Sequence, residues 1–225
     1  MKNTRFILSL LVATSILTGC DQENSIEPTI NGLTFPIEEV GPFNTGYQTW
    51  EITYRPSPDA QDRTIPIHIW YPTTAEHDYQ SDPPTENPTY AGLFSDVDTI
   101  VDAAPAAAAY SSGFPVIAYS HGHQGVAGGS YRLMSYFASH GWMAVSVGHV
   151  GNRLVDGEEA TNRPVTHWHR RPLDISAALD AIEALKPDHP LSGKADTSTV
   201  LSTGHSRGTY TPWALAGSTY DIEEI

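Results

Sequence analysis

The segment Gly204-His205-Ser206-Arg207-Gly208 has the form G-x-S-x-G, with glycines two residues before and two residues after a serine. The β-branched and apolar residues 199–203 precede it and predict a short buried strand. In a tight turn from a strand to a helix, the glycines let the two elements approach closely, and the serine hydroxyl is held up into solvent. Backbone N–H groups at the start of the helix can then stabilise an oxyanion. The pattern predicts a nucleophile at Ser206, with a chemically inert glycine-serine turn as the alternative.

The composition is that of one globular domain with an acidic, solvated surface. The chain has 225 residues, of which 40% are hydrophobic and 17% are charged, and its formal net charge is −14. Sequence-independent nucleic-acid binding needs lysine and arginine to replace counterions. The charge therefore argues against a nucleic-acid partner.

Residues 1–19 have the organisation of a signal peptide, with a basic start and an apolar run over 6–17 that is too short to span a bilayer. The segment ends Leu-Thr-Gly-Cys at Cys20, which resembles the lipobox of bacterial lipoproteins. The resemblance implies that Cys20 is lipidated and tethers the mature chain to a membrane of the bacterial cell envelope, on the extracytoplasmic side. Asp21 resembles the signal for retention at the inner membrane. The alternative is an ordinary secretory signal with an incidental cysteine.

After the lipobox, the chain is predicted to be a tether over 20–45 and a folded domain over 46–225. Alternating residues at 47–54 and 65–72, on either side of a turn rich in proline and aspartate, predict an antiparallel strand pair. The segment 73–112 is predicted to be a surface excursion, with a short helix at 103–109.

From residue 115 onwards, strand and helix patterns alternate, which predicts a parallel sheet with right-handed crossovers. The predicted strands are 115–120, 142–147 and 199–203. One predicted helix is capped by Ser130 and has Leu133, Tyr136 and Phe137 at helical spacing, and a second covers 174–185. The segment 149–171 between them is predicted to be a long irregular loop.

Four stretches together resemble the α/β-hydrolase superfamily: 69–72 (IWYP), 114–122 (FPVIAYSHG), 137–142 (FASHGW) and 204–208 (GHSRG). Within it they are most similar to serine esterases of the platelet-activating-factor acetylhydrolase, dienelactone-hydrolase-like and polyester-hydrolase (cutinase) type. The resemblance implies an α/β-hydrolase fold, with a mostly parallel sheet and an antiparallel N-terminal strand pair. It implies hydrolysis of carboxylic esters, lipid or polymeric esters among them, through an acyl-enzyme on Ser206, with no organic cofactor.

The same resemblance assigns two oxyanion donors. One is the backbone N–H of Arg207, directly after the nucleophile, and the other is the backbone N–H of His123, directly after His121-Gly122. At the carboxyl ends of adjacent strands, the two groups would converge on the oxygen that becomes negative during attack.

The chain departs from the superfamily's order of serine, acid and histidine, because no histidine follows Ser206. The expectation is that the chain is the N-terminal portion of a longer hydrolase, truncated after the helix of the elbow. Alternatively, an upstream histidine at the end of a predicted strand acts as the base, the candidates being His121, His149 and His205. A third alternative is a non-catalytic lipoprotein, pseudo-enzyme or gene fragment that uses a hydrolase-like scaffold for binding.

Two smaller features bear on these alternatives. His167 and His169 would share a face if the segment were extended, but no third ligand stands at a fitting spacing, so no metal is predicted. Pro212 lies six residues into the predicted elbow helix and predicts a kink there, which favours a decayed gene.

Overall fold

The computed structural model describes residues 37–80, 85–158 and 164–219, together with two short strands at 29–30 and 33–34. The predicted signal peptide, Cys20 and Asp21 lie outside the described residues. Within the described part, no helix is long and apolar enough to cross a membrane.

Six of the ten strands in the described residues form one mixed sheet at the centre of the fold. The strands are β1 (Thr29–Ile30), β2 (Leu33–Thr34), β3 (Asn44–Tyr54), β4 (Arg63–Thr73), β5 (Thr89–Tyr90), β6 (Phe94–Ser95), β7 (Thr99–Val101), β8 (Phe114–Ser120), β9 (Met143–Val147) and β10 (Ala195–Gly204). The central sheet has the order β10-β8-β9-β4-β3-β7, while β1-β2 and β5-β6 are separate antiparallel pairs.

The central sheet is parallel over β10, β8 and β9, and β4 is antiparallel to its neighbours β9 and β3. The predicted antiparallel strand pair is confirmed, with Trp50 opposite Ile67 and Ile52 opposite Ile65. The predicted domain boundary at residue 46 falls inside β3, which begins two residues earlier.

In the part of the chain that the structure describes, three α-helices pack on the faces of this sheet: α1 (Tyr131–Ser139), α2 (Pro164–Glu183) and α3 (Tyr210–Leu215). Side chains alternate across the strands, so that Val116 and Ala118 of β8 join the core beneath α2, while Ile117 and Tyr119 join the core beneath α1. Both faces of β8 and β9 are therefore buried. Because a strand that is covered on both faces needs apolar side chains on both, its sequence is a continuous apolar run.

The helix predicted at 174–185 is the second half of a longer one. Helix α2 begins at Pro164. The prediction of an irregular loop over 149–171 is therefore wrong for residues 164–171, which are helical. Pro172 inside the helix is the reason for the error, because a proline usually marks the end of a helix.

The helix predicted at 103–109 is absent. Pro105 forms a bridge with Thr73, and the Ala106 N–H donates to the carbonyl of Pro72 at 2.8 Å. The backbone of this alanine-rich stretch is therefore paired to the end of β4, and tertiary pairing overrides helix propensity.

Two predictions, the cap at Ser130 and the buried strand before the motif, differ from the structure, and the residues at helical spacing are not those that α1 buries most deeply. Leu133 is 44% exposed, and the buried side of α1 carries Met134 and Ala138 instead. Ser130 precedes α1, but its hydroxyl donates to Tyr119 Oη at 2.5 Å and makes no capping bond. Strand β10 is the edge strand of the described sheet, and Leu201 is 47% exposed, so the strand before the motif is not buried as predicted.

Candidate active site

Ser206 occupies a strained turn directly after β10. The strand ends at Gly204, and a single 3₁₀ turn, Ser206–Thr209, leads into α3. Ser206 has a φ of +51°, in the left-handed region that non-glycine residues rarely adopt, and its side chain is exposed. Strain of this kind costs about 1–3 kcal/mol and is concentrated at functional sites.

Both glycines of the motif are required by close backbone approach. A Cβ atom on Gly204 would lie closer than 3.0 Å to the carbonyl of Gly208, and one on Gly208 closer than 3.0 Å to the carbonyls of Ser120 and His121. Real Cβ atoms essentially never come that near to another atom. The start of the turn, its end and the end of β8 are therefore packed against one another without side chains between them.

The loop after β8 faces this turn. A Cβ atom on Gly122 would stand 3.3 Å from the Cβ of Ser206, and the His205 N–H donates to the Ser120 carbonyl at 3.1 Å. The Arg207 Nη1 group donates to His123 Nδ1 at 3.0 Å. The structure thus brings together Ser206 and the two residues predicted to supply oxyanion donors, His123 and Arg207.

His123 has a defined tautomer. Its Nδ1 atom lies 2.8 Å from Asn152 Nδ2 and 3.0 Å from Arg207 Nη1, and both partners are donors. Nδ1 therefore accepts, and the ring proton is on Nε2. Partial burial and the nearby Arg207 guanidinium lower the pKa of His123, so the ring is neutral at pH 7.

Beneath the turn lies a second serine with the contacts of a catalytic triad. The Ser120 hydroxyl is 2.9 Å from His149 Nε2, and His149 Nδ1 is 2.9 Å from Asp174 Oδ2. All three side chains are buried, and the Ser120 hydroxyl also contacts Thr211 Oγ1 at 3.0 Å. A nucleophile must reach its substrate, so this arrangement is part of the core under the site and not a second site.

Asp174 anchors that buried network by accepting four hydrogen bonds. Arg63 donates through Nε at 2.7 Å and Nη2 at 2.9 Å, Tyr54 donates its hydroxyl at 2.7 Å, and His149 donates from Nδ1. Burial alone would raise the pKa of Asp174, but the bonds from Arg63 and His149 outweigh it and lower the pKa to about 2. Asp174 is therefore ionised at neutral pH.

The ring nitrogens of His121 and His149 are hydrogen-bonded inside the fold. Burial lowers the pKa of His149 to about 4 despite the neighbouring Asp174. Burial, with the nearby His149 and Arg171, lowers the pKa of His121 well below its ordinary value. His121 Nδ1 donates to the Gly122 carbonyl at 2.7 Å, and its Nε2 accepts from the His149 N–H at 3.1 Å. Within the described residues, no histidine is hydrogen-bonded to Ser206, so the geometry does not favour an upstream histidine as the base.

The histidines at 167 and 169 do not share a face. Both lie on α2, where residues two positions apart are about 200° apart around the axis. Among the residues that the structure describes, no group of three or more histidine, cysteine or acidic side chains is arranged to hold a metal ion.

Pro212 does not interrupt the helix after Ser206. Helix α3 begins only at Tyr210, which places Pro212 at its third position. The N–H of a residue in the first turn has no intrahelical acceptor, so the proline removes no helical hydrogen bond. The kink predicted from the sequence therefore has no physical cause here.

A cavity between α1 and the loop around Asp96 does not coincide with this site. It has a volume of about 690 Å³ and is lined by α1 and the loop around Asp96, with Tyr131 and Arg132 among its walls. None of Ser206, His123 and Arg207 contributes to it.

The low pKa of His149 predicts that the folded protein is less stable at acidic pH. The pKa of His149 is about 4 in the folded protein and about 6.5 when unfolded, so between these values the unfolded chain binds more protons. Stability should be greatest above pH 6.5 and fall by roughly 3 kcal/mol from this residue as the pH drops to 4. Urea unfolding at several pH values measures the effect, and His149→Gln should flatten the dependence. An equally steep dependence in that variant would contradict the prediction.

No family model matches the chain, and no curated protein matches it in sequence. Among solved structures, the ferulic acid esterase from Streptomyces cinnamoneus is 20% identical with a TM-score of 0.57, over 77% of this chain and 55% of that one. A dienelactone hydrolase-like promiscuous phosphotriesterase from metagenomic libraries is 15% identical with a TM-score of 0.41, over 76% and 54%. The acetyl xylan esterase from Paenibacillus sp. R4 is 18% identical with a TM-score of 0.40, over 75% and 49%.

The likeness to the ferulic acid esterase confirms the predicted α/β-hydrolase fold, a mixed and mostly parallel sheet with an antiparallel strand pair near its start. The chain spans about half the length of these three structures.

Proposed function

We propose that the chain is a serine hydrolase of carboxylic esters, with Ser206 as its nucleophile. The observation that carries the proposal is the exposed Ser206 at φ +51°, on a turn that only glycines allow, against the loop that ends β8. Backbone strain is concentrated at functional sites, and a nucleophile must be exposed to reach its substrate. The shared fold with a ferulic acid esterase supports the same reaction class.

In the proposed reaction, the Ser206 oxygen bonds to the ester carbonyl carbon, and the carbonyl oxygen becomes negative. The backbone N–H groups of His123 and Arg207 stabilise that oxygen, each by about 3 kcal/mol. Collapse expels the alcohol and leaves an acyl-enzyme, which water hydrolyses to the free acid. A base must accept the serine proton and return it to the alcohol, and no described residue is hydrogen-bonded to Ser206 in that role.

Within the described residues, no base is hydrogen-bonded to Ser206, and this observation favours a second candidate, a binding lipoprotein that uses the hydrolase scaffold without catalysis. An unactivated serine hydroxyl is a weak nucleophile. The fold and the turn would be the same in both cases, so reactivity at Ser206 separates them.

We also propose that lipidated Cys20 tethers the protein to the extracytoplasmic side of a membrane in the bacterial envelope, with the inner membrane favoured by Asp21. The support is the sequence of residues 1–21 alone. Fractionation of the producing cells should place the protein with membranes, and Cys20→Ser should release it.

The function is tested by a fluorophosphonate probe, which reacts covalently with activated serines. Cells that produce the protein are lysed with their membranes retained, labelled, and read on a gel beside an antibody against the protein. The expected result is a labelled band that coincides with the antibody signal and weakens when a short-chain aryl ester is added first. Protein that is present but unlabelled would overturn the enzyme proposal and favour the binding candidate.

A further inference from the structure

Arg171 is a buried cation under the site that the proposed reaction leaves without a role. It lies on α2 with no exposed surface, and no carboxylate stands within ion-pair distance of it in the described part of the chain. Asp174, one turn further along α2, is occupied by Arg63 and His149. Burying a guanidinium without an anion is costly, so its other contacts must be unusually favourable.

Those contacts converge on the loop after β8. Nη1 donates to the His121 carbonyl and to the Ser120 hydroxyl, the latter at 3.1 Å. Nη2 donates to the Gly122 carbonyl at 3.0 Å and to Asn152 Oδ1. The two arms of the guanidinium therefore bind two successive carbonyls, a geometry that its rigid fork suits and that a lysine cannot reproduce.

The direction of the Gly122 carbonyl determines the direction of the next N–H. Besides Arg171, this carbonyl accepts from His121 Nδ1 at 2.7 Å and from the Gly125 N–H at 3.1 Å, and Arg171 is the charged donor of the three. A trans peptide unit is planar, and its C=O and N–H bonds point in opposite directions. Because the Gly122 carbonyl points inward to Arg171, the His123 N–H of the same unit points away from Arg171. Gly122 meets Ser206 across the gap between the two loops, with 3.3 Å between its Cβ position and the Ser206 Cβ.

A second link from Arg171 reaches the same residue. Asn152, also fully buried, accepts from Arg171 through Oδ1 and donates through Nδ2 to His123 Nδ1 at 2.8 Å. His123 is thus held through its backbone and through its ring. Burial lowers the pKa of Arg171 to about 10, which still leaves it charged at pH 7. A positive charge at the carbonyl end of a peptide unit polarises it and strengthens its N–H as a donor.

We propose that Arg171 is the positioning residue of the oxyanion site, orienting and polarising the His123 N–H through the Gly122 carbonyl. This inference rests on the proposed ester hydrolysis at Ser206.

The test compares Arg171→Lys with the wild type and with Arg55→Gln, an exposed arginine outside the site, in full-length protein from the producing cells. The lysine keeps the charge but cannot hold two carbonyls. In Arg171→Lys, kcat for a short-chain aryl ester should fall about 100-fold with little change in KM, as for loss of one oxyanion donor. The inhibition constant of a trifluoromethyl ketone, which mimics the tetrahedral intermediate, should rise by a similar factor. Arg55→Gln should change neither value.

If Arg171 had a purely structural role, the substitution would reduce the amount of folded enzyme. The inhibition constant of the ketone, measured on the enzyme that does fold, would not change. Unchanged ketone inhibition and less than threefold loss of kcat in folded Arg171→Lys would overturn the proposal. If that variant does not fold, Asn152→Ala is used instead, because it removes the contact between Arg171 and the His123 ring. The proposal then requires that this variant lose more affinity for the ketone than any change in its KM. A wild type that neither hydrolyses esters nor binds the ketone would instead refute the proposed function, and this inference with it.

Discussion

Ser206→Ala is expected to abolish ester hydrolysis, whereas Ser120→Ala is expected to leave most of it. Removing a serine nucleophile typically lowers kcat by about 10⁴-fold or more. Ser120, unlike Ser206, is hydrogen-bonded to a histidine in the described residues, with 2.9 Å between its hydroxyl and His149 Nε2. Its side chain is buried, however, so an ester cannot reach it. Initial rates with a short-chain aryl ester, normalised to folded protein, give the comparison.

Ser120→Ala still has a cost, because it leaves His149 Nε2 without its donor and Thr211 with one partner fewer. A loss of about 1–3 kcal/mol in the free energy of unfolding is expected from such an unsatisfied buried group. The assignment of the nucleophile would be wrong if Ser206→Ala kept its rate. It would also be wrong if folded Ser120→Ala lost the activity completely.

Asp174→Asn is expected to lower the free energy of unfolding by roughly 3–5 kcal/mol, the range found when one partner of a buried ion pair is removed. Asp174 is fully buried, and the Arg63 side chain is only 10% exposed, so Arg63 would keep its charge without an anion. An asparagine would also turn an NH₂ group toward Arg63, Tyr54 or His149, all of which donate to Asp174. Urea unfolding at pH 7 measures the change.

Asp62→Asn is the matched control, since Asp62 also pairs with an arginine. The side chains of Arg55 and Asp62 are each 57% exposed, and the free energy of unfolding should change by less than about 1 kcal/mol. Similar losses in the two variants would show that Asp174 is not the anchor of the buried network.

The parts of the fold that the sequence predicts are those with a strong local pattern. The alternation at 47–54 and 65–72 predicts the pair β3–β4, since Ile65, Ile67 and Ile69 are all buried in β4. The G-x-S-x-G spacing predicts the turn at Ser206, because its glycines are set by backbone contacts within the turn and with the end of β8. The roles of His123 and Arg207 as donors stay predictions.

The buried network was beyond prediction because its members are far apart in the chain. His149 is 29 residues from Ser120 and 25 from Asp174, and only the packing of β8, β9 and α2 joins them. Arg171 left one weak signal. The buried positions Ile175, Ala178 and Ile182 of α2 repeat at helical spacing, and extending them toward the N-terminus arrives at 171. Pro172 obscured that continuity.

The exposure of β10 could not be predicted either. A short apolar and β-branched run does not reveal whether a strand is central or at an edge, since that depends on the order of strands in the sheet.

The position of a covalent fluorophosphonate adduct tests the central claim most directly. Trypsin separates the two serines, because Ser206 lies in the peptide 195–207 and Ser120 in the peptide 64–132. We predict that mass spectrometry of the labelled full-length protein finds the adduct on 195–207 and that fragmentation places it on Ser206, not on Ser198 or Ser202. An adduct on 64–132, or no adduct on protein shown to be folded, would contradict Ser206 as the nucleophile.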